Sequence, residues 1–202
     1  MKASLFKPSK FSWFSIAITA LVAFFIVAGG ARAADDKKDN AATTPPKVGD
    51  TAPDFRLPYA TQEAIHLKPE EQMALSSLRG KNVILAFYPA DWSGGCTKEV
   101  CTLRDTFAEL SKLNATVLGV SGDYVFSHQE WAKFHKLQFP LLSDHDHKIA
   151  RLYGSYNETV GFNNRTVFLI DKDGVVRYSN MAFKAGDPND YNKLKEELMK
   201  LK

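Results

Sequence analysis

Cysteine is scarce in this 202-residue chain, which holds two, Cys96 and Cys101. Two are too few to staple a small secreted scaffold, and their spacing is not that of a zinc site. An excess of basic charge is also missing from the body of the chain. The formal net charge is +3, but Lys2, Lys7, Lys10 and Arg32 give residues 1–33 a charge of +4, which leaves −1 for residues 34–202. No basic stripe remains for nucleic acid. Internal repeats are absent. Hydrophobic residues make up 45% and charged residues 24%, an ordinary globular composition that excludes collagen-like and disordered classes. The length suits one domain with a short appendage.

The N-terminus has its own character. A basic start, MKASLFKPSK, leads into an apolar run from about Trp13 to Ala28, then Gly29, Gly30 and the small Ala31 and Ala33. This is the pattern of a secretory signal peptide over residues 1–33, with cleavage after Ala33. The alternative is an uncleaved anchor, because the run approaches bilayer-spanning length. Residues 34–47 (ADDKKDNAATTPPK) are polar and end in Pro45 and Pro46, a flexible leader. The expected location is therefore the periplasm, with membrane association only if the leader stays uncleaved. The folded domain is expected over 48–202.

Within that domain, residues 52–57 and 64–67 read as short edge strands, and 69–79 as an irregular or partly helical connector. Val83–Tyr88 is a continuous apolar run of strand length, as in a strand buried on both faces. From Cys96 to Leu113, apolar residues recur at three and four, which predicts an amphipathic helix. Thr116–Val120 is a second buried strand. Ser127 with Glu130 forms a capping-box pattern, predicting a helix that opens there and runs to about Lys136. Asp146–Tyr153 reads as a short helix. Thr166–Ile170 and Val175–Ser179 are strands joined by Asp171-Lys-Asp-Gly174, a hairpin signal. Pro188 opens a last helix with Tyr191, Leu194, Leu198 and Leu201 on one face. Strands alternating with helices, then a hairpin and a helix, predict an α/β sandwich with a mixed sheet flanked by helices.

Chemistry concentrates where the first buried strand ends. Pro89 stops the strand, Gly94 and Gly95 let the backbone turn, and Cys96 falls in the first turn of the following helix. Free N–H groups and the helix dipole stabilise an anion there, so Cys96 is expected to be a thiolate nucleophile at neutral pH. Asp144, His145, Asp146 and His147 are metal-ligand types, but the run reads as a solvated turn before a helix, so neither a metal nor a cofactor is expected. Five residues along a helix separate Cα atoms by roughly 8.7 Å. A disulfide tolerates at most about 7 Å, which argues against a static Cys96–Cys101 bridge in an intact helix.

Pro89, Ser93 and Cys96 match the pattern of proline, three residues, threonine or serine, two residues, cysteine. With Arg165 just before a late strand, and with VGDTAPDF, LSSLRGK and FPLLSD, the chain resembles the peroxiredoxins, specifically their bacterioferritin-comigratory (Q-type) branch. The similarity runs from about Val48 to the C-terminus. It implies a thioredoxin-like three-layer sandwich and reduction of hydroperoxides by a peroxidatic cysteine, Cys96. By the same resemblance, Arg165, the Ser93 hydroxyl and nearby backbone N–H groups would hold the peroxide oxygens, and Pro89 would shape the pocket. Ser93 stands where threonine is commoner, and Trp92, Gly94 and Gly95 also depart from the usual loop. Glu99 resembles a family acid and is read as structural. Cys101 would be the resolving cysteine, giving an intramolecular disulfide reduced by a thioredoxin-like donor; the alternative is a buried helix residue with an external resolving thiol. A monomer or weak dimer is expected. Two other functions compete: an exported thioredoxin-like thiol–disulfide oxidoreductase, disfavoured because four rather than two residues separate the cysteines, and a non-catalytic exported binding domain.

Overall fold

Runs of consecutive apolar residues become the centre of a mixed sheet. The computed structural model describes residues 44–201, so the signal-peptide reading and most of the leader lie outside the described residues. In chain order the elements are β1 (Arg56–Leu57), β2 (Tyr59–Ala60), β3 (Ile65–His66), β4 (Met73–Ala74), β5 (Asn82–Phe87), α1 (Gly94–Lys112), β6 (Ala115–Ser121), α2 (Val125–His135), β7 (Leu141–Ser143), α3 (Lys148–Leu152), β8 (Tyr156–Asn157), β9 (Phe162–Asn163), β10 (Thr166–Ile170), β11 (Val176–Asn180) and α4 (Pro188–Met199). Short 3-10 turns at Pro69–Glu71 and Leu75–Leu78 occupy the connector. Among the described residues, no helix is long and apolar enough to cross a membrane.

Seven strands pair in the order β11-β10-β5-β6-β7-β2-β3. β5, β6 and β7 run parallel, whereas β10 is antiparallel to both β5 and β11. The period of two along each strand divides its side chains between two cores. Ile84, Ala86, Val117, Val167 and Leu169 join Val100, Leu103 and Leu110 of α1, Trp131 of α2, and Leu194 and Leu198 of α4. Val83, Leu85, Phe87, Leu118, Val120, Phe168 and Ile170 pack instead with Phe55, Leu75 and Ala150 of α3. The sheet is thus covered on both faces, the expected three-layer sandwich. Each fully buried large side chain contributes roughly 1.5–3 kcal/mol against exposure, so these central strands hold the fold.

Two helix starts show how local signals fare. Asp187 caps α4, its carboxylate accepting from Asn189 N at 3.0 Å, with Pro188 as the first helical residue. The capping box expected at Ser127 does not form. α2 begins earlier, at Val125, after Tyr124 with no side-chain cap. Ser127 Oγ donates instead to Asp91 Oδ2 at 2.7 Å, and Glu130 pairs with Lys133. A bond to a carboxylate is about twice as strong as a neutral one, so the buried Asp91 outcompetes a cap for this hydroxyl.

Candidate active site

The path from β5 into α1 places Cys96. The strand ends at Phe87, Trp92 adopts a positive φ of 62°, and Ser93 is the helix N-cap with no side-chain hydrogen bond to the first turn. Gly94, Gly95 and Cys96 are then the first three helical residues. Cys96 therefore lies where helix N–H groups point outward and the dipole is positive. It is fully buried, with 0% of its surface exposed.

Arg165, immediately before β10, reaches this thiol from another part of the chain. Its Nη2 lies 3.4 Å from Cys96 Sγ, while its Nη1 pairs with Glu99 Oε2. The backbone there is pinned because the Arg165 carbonyl accepts from Phe183 N at 3.1 Å. Gly95 leaves room for the guanidinium: a Cβ at that position would stand 3.2 Å from Arg165 Nη2. Burial opposes the Arg165 charge, but Glu99 and Cys96 beside it more than compensate and strengthen it.

Glu99 sits beneath, on the buried face of α1. Its Oε1 has no hydrogen-bond partner. Burial pushes its carboxyl up to about 7 even though Arg165 pulls the other way. The group thus changes charge near neutrality within contact of the guanidinium that faces Cys96.

A second buried network anchors the loop. Asp91 Oδ1 accepts from Tyr88 Oη at 2.8 Å, and Oδ2 lies 2.9 Å from His128 Nδ1 as well as accepting from Ser127. Asp91 N donates to Asp123 Oδ2 at 2.9 Å, and His128 Nε2 lies 3.1 Å from the Leu142 carbonyl. Burial pushes the Tyr88 phenol well above its ordinary range, with the Asp91 charge adding to it. The loop between β5 and α1 is therefore fastened to α2 and to the ends of β6 and β7. Rigid support of this kind is what a reacting group needs to be held in place.

The structure brings Cys96 and Arg165 together. It places Pro89, half-buried, and Ser93, exposed, in the loop that leads to Cys96, with Ser93 Oγ donating to the Ala90 carbonyl at 3.1 Å. Cys101 lies further along the same unbroken helix, half-buried, and both cysteines are free thiols. The Asp144 carboxylate accepts from Ile149 N and Ala150 N at 3.1 and 2.7 Å, fixing the start of α3. Glu99, read from the sequence as structural, joins the site through Arg165, and the Asp91–His128 pair is the site-forming contact that sequence reasoning missed. Glu99 carried a signal, since it shares the helical stripe of Cys96, Val100 and Leu103, where an acid needs a partner.

A thiol in the first turn of a helix, faced at 3.4 Å by a half-buried guanidinium in a mixed α/β sandwich, defines a thiol-based redox enzyme. The chain belongs to the AhpC/TSA family, whose model matches residues 48–179. It is 43% identical over 136 residues to a Coxiella burnetii protein named peroxiredoxin bcp, covering 64% of this chain and 85% of that one. A chloroplastic peroxiredoxin Q of Oryza sativa subsp. japonica is 38% identical over 131 residues, or 64% of this chain, which spans only 57% of that relative's length. Among solved structures, the peroxidoxin BcpB of Mycobacterium tuberculosis superposes with a TM-score of 0.67 at 31% identity, covering 78% of this chain and 99% of that one. The Enterococcus faecalis AhpC structure, at 24% identity and a TM-score of 0.68 over 77% of this chain and 92% of its own, shares the fold. The fold is thioredoxin-like, and these relatives support a thiol peroxidase activity.

Proposed function

We propose that the protein reduces hydrogen peroxide and organic hydroperoxides through Cys96, with Cys101 resolving the oxidised form and a thioredoxin-like donor recycling it. The observation that carries this reading is the 3.4 Å approach of Arg165 Nη2 to the Sγ of a cysteine in the first turn of α1. The Cys96 thiolate attacks one peroxide oxygen, the O–O bond breaks, and the departing oxygen takes a proton to leave as water or alcohol. Negative charge grows on that oxygen, and Arg165 with the helix N–H groups is placed to hold it. Ser93 Oγ, which donates to the Ala90 carbonyl at 3.1 Å, would leave that acceptor to join them. Because Cys96 is fully buried, the oxidant enters as the exposed start of α1, at Ser93, Gly94 and Gly95, yields.

The product is a sulfenic acid at Cys96. Condensation with Cys101 expels water and forms a disulfide. In the intact helix the two Cα atoms stand roughly 8.7 Å apart by helical geometry, beyond the about 7 Å limit for a bridge. The first turns of α1 therefore unwind on oxidation, a local opening that costs less than global unfolding. Residues 1–33 would direct the protein to the periplasm, where its reductant must also lie; mass spectrometry of the native protein should give Ala34 as the mature N-terminus.

The direct test is Cys96→Ser in a peroxide-consumption assay with a general thiol reductant. Turnover should fall below a few per cent of wild type while the circular dichroism spectrum is kept. Retained turnover in that variant would defeat the proposal.

A further inference from the structure

Cys101 has a partner that the peroxide step does not use. Its Sγ lies 3.6 Å from Nδ1 of His135, the last residue of α2, although 34 positions separate the two in sequence. The imidazole is held by aromatic rings, with centroids 5.8 Å away for Trp131, 4.9 Å for Phe134 and 6.4 Å for Trp92 of the active-site loop. From α1, the Arg104 guanidinium donates to the His135 carbonyl at 2.8 Å and is itself paired with Asp105. On its own helix, Lys133 is paired with Glu130, and the adjacent Lys136 is exposed. Burial and then the Arg104 charge hold the imidazole below the usual histidine range. It is therefore neutral at neutral pH, with a lone pair available on one ring nitrogen.

A thiol attacks a sulfenic acid only as its thiolate, so a base in contact with the attacking sulfur accelerates the step. We propose that His135 is that base: its Nδ1 takes the proton of Cys101 before α1 unwinds. The inference rests on the reading of Cys101 as the resolving cysteine. The S–H bond of Cys101 breaks and its proton passes to His135. The electron pair left on Cys101 forms the bond to Cys96 Sγ as the S–O bond of the sulfenic acid breaks. The departing hydroxide is protonated to water, and the imidazolium returns its proton through solvent. One disulfide, one water and a neutral His135 result. The 3.6 Å contact exists only while the helix is folded, so the proton moves first and the thiolate is carried to Cys96 by the unwinding.

The test follows the conversion of dimedone-reactive Cys96 to the Cys96–Cys101 disulfide after one equivalent of peroxide, in wild type and His135→Asn, from about pH 5.5 to 9.5. Wild type should reach its plateau rate below neutrality. The variant should be slower by roughly tenfold at pH 7, where the thiolate must form with no base beside the sulfur, and should regain the wild-type rate at alkaline pH, where hydroxide supplies the thiolate directly. The pH rescue shows that the variant is folded and competent. A variant with the wild-type rate and profile overturns the role of His135 and leaves Cys101 as the resolving residue. An equal loss at every pH also overturns it, since packing alone would produce that. Absence of any Cys96–Cys101 linkage in wild-type protein overturns both readings.

Discussion

Cys96 and Cys101 stand five residues apart on one helix in opposite surroundings. The first turn carries Cys96 fully buried, with a guanidinium at 3.4 Å and a buried carboxyl one turn below. One and a half turns on, Cys101 is half-buried against an imidazole. The difference comes from periodicity. Residues 96, 99, 100 and 103 fall on the stripe that faces the sheet, whereas 101 is rotated off it toward α2. One helix therefore carries two kinds of thiol: one beside a guanidinium, one beside an imidazole.

The sharpest way to break the comparison is to remove each sulfur separately. Beside the complete loss expected for Cys96→Ser, Cys101→Ser should consume about one equivalent of peroxide and then stop, with sulfenic acid accumulating and thioredoxin-supported cycling lost. Continued cycling of Cys101→Ser would make the two cysteines functionally independent. Removing the charged clamp comes next. Arg165→Ala should slow sulfenic acid formation by roughly a hundredfold, the usual effect of deleting one donor to developing negative charge. Stopped-flow fluorescence of the peroxide reaction reads this, and an unchanged rate would detach Arg165 from the chemistry.

Glu99 gives a smaller, pH-dependent effect. Its folded value of about 7 lies above the ordinary 4.5. Its contribution to stability is therefore fully present below about 4.5 and is lost as pH rises through about 7. The loss amounts to at most about 3 kcal/mol. Urea midpoints should fall between about pH 5 and pH 8 in wild type and change less in Glu99→Gln. The same fall in both proteins would show that Glu99 is not the group responsible. The smallest effect belongs far from either cysteine. Asp187→Ala, which removes the cap on α4, should cost about 1 kcal/mol in denaturant stability and leave the rates of both thiols unchanged.

Contiguous features were legible in the sequence. The apolar run at 83–88, the alternation of strands and helices, the Asp171–Gly174 turn and the placement of Cys96 in the first turn each depend on neighbouring residues, and each is present. β7 was not marked, since Leu141–Ser143 is too short to show a period. The capping box failed because a distant carboxylate, Asp91, outbids a local cap. The clamp was only half visible. Arg165 was expected on resemblance, but its pairing with Glu99 joins positions 66 apart. His135 gave no signal at all, because nothing local ties the end of α2 to the flank of α1. Local patterns fix elements, whereas the charged contacts that tune a site arise from how those elements pack.

The central claim is that α1 holds the cysteines apart until oxidation releases its first turns. Hydrogen exchange over residues 94–104, compared before and after one equivalent of peroxide, tests it most directly. Amides in this segment should be protected in the reduced protein and exchange much faster once peptide mapping shows the Cys96–Cys101 linkage, while those of β5 and β6 stay protected. Linkage without increased exchange, or oxidation that leaves both the thiol of Cys101 and the helix intact, would contradict it.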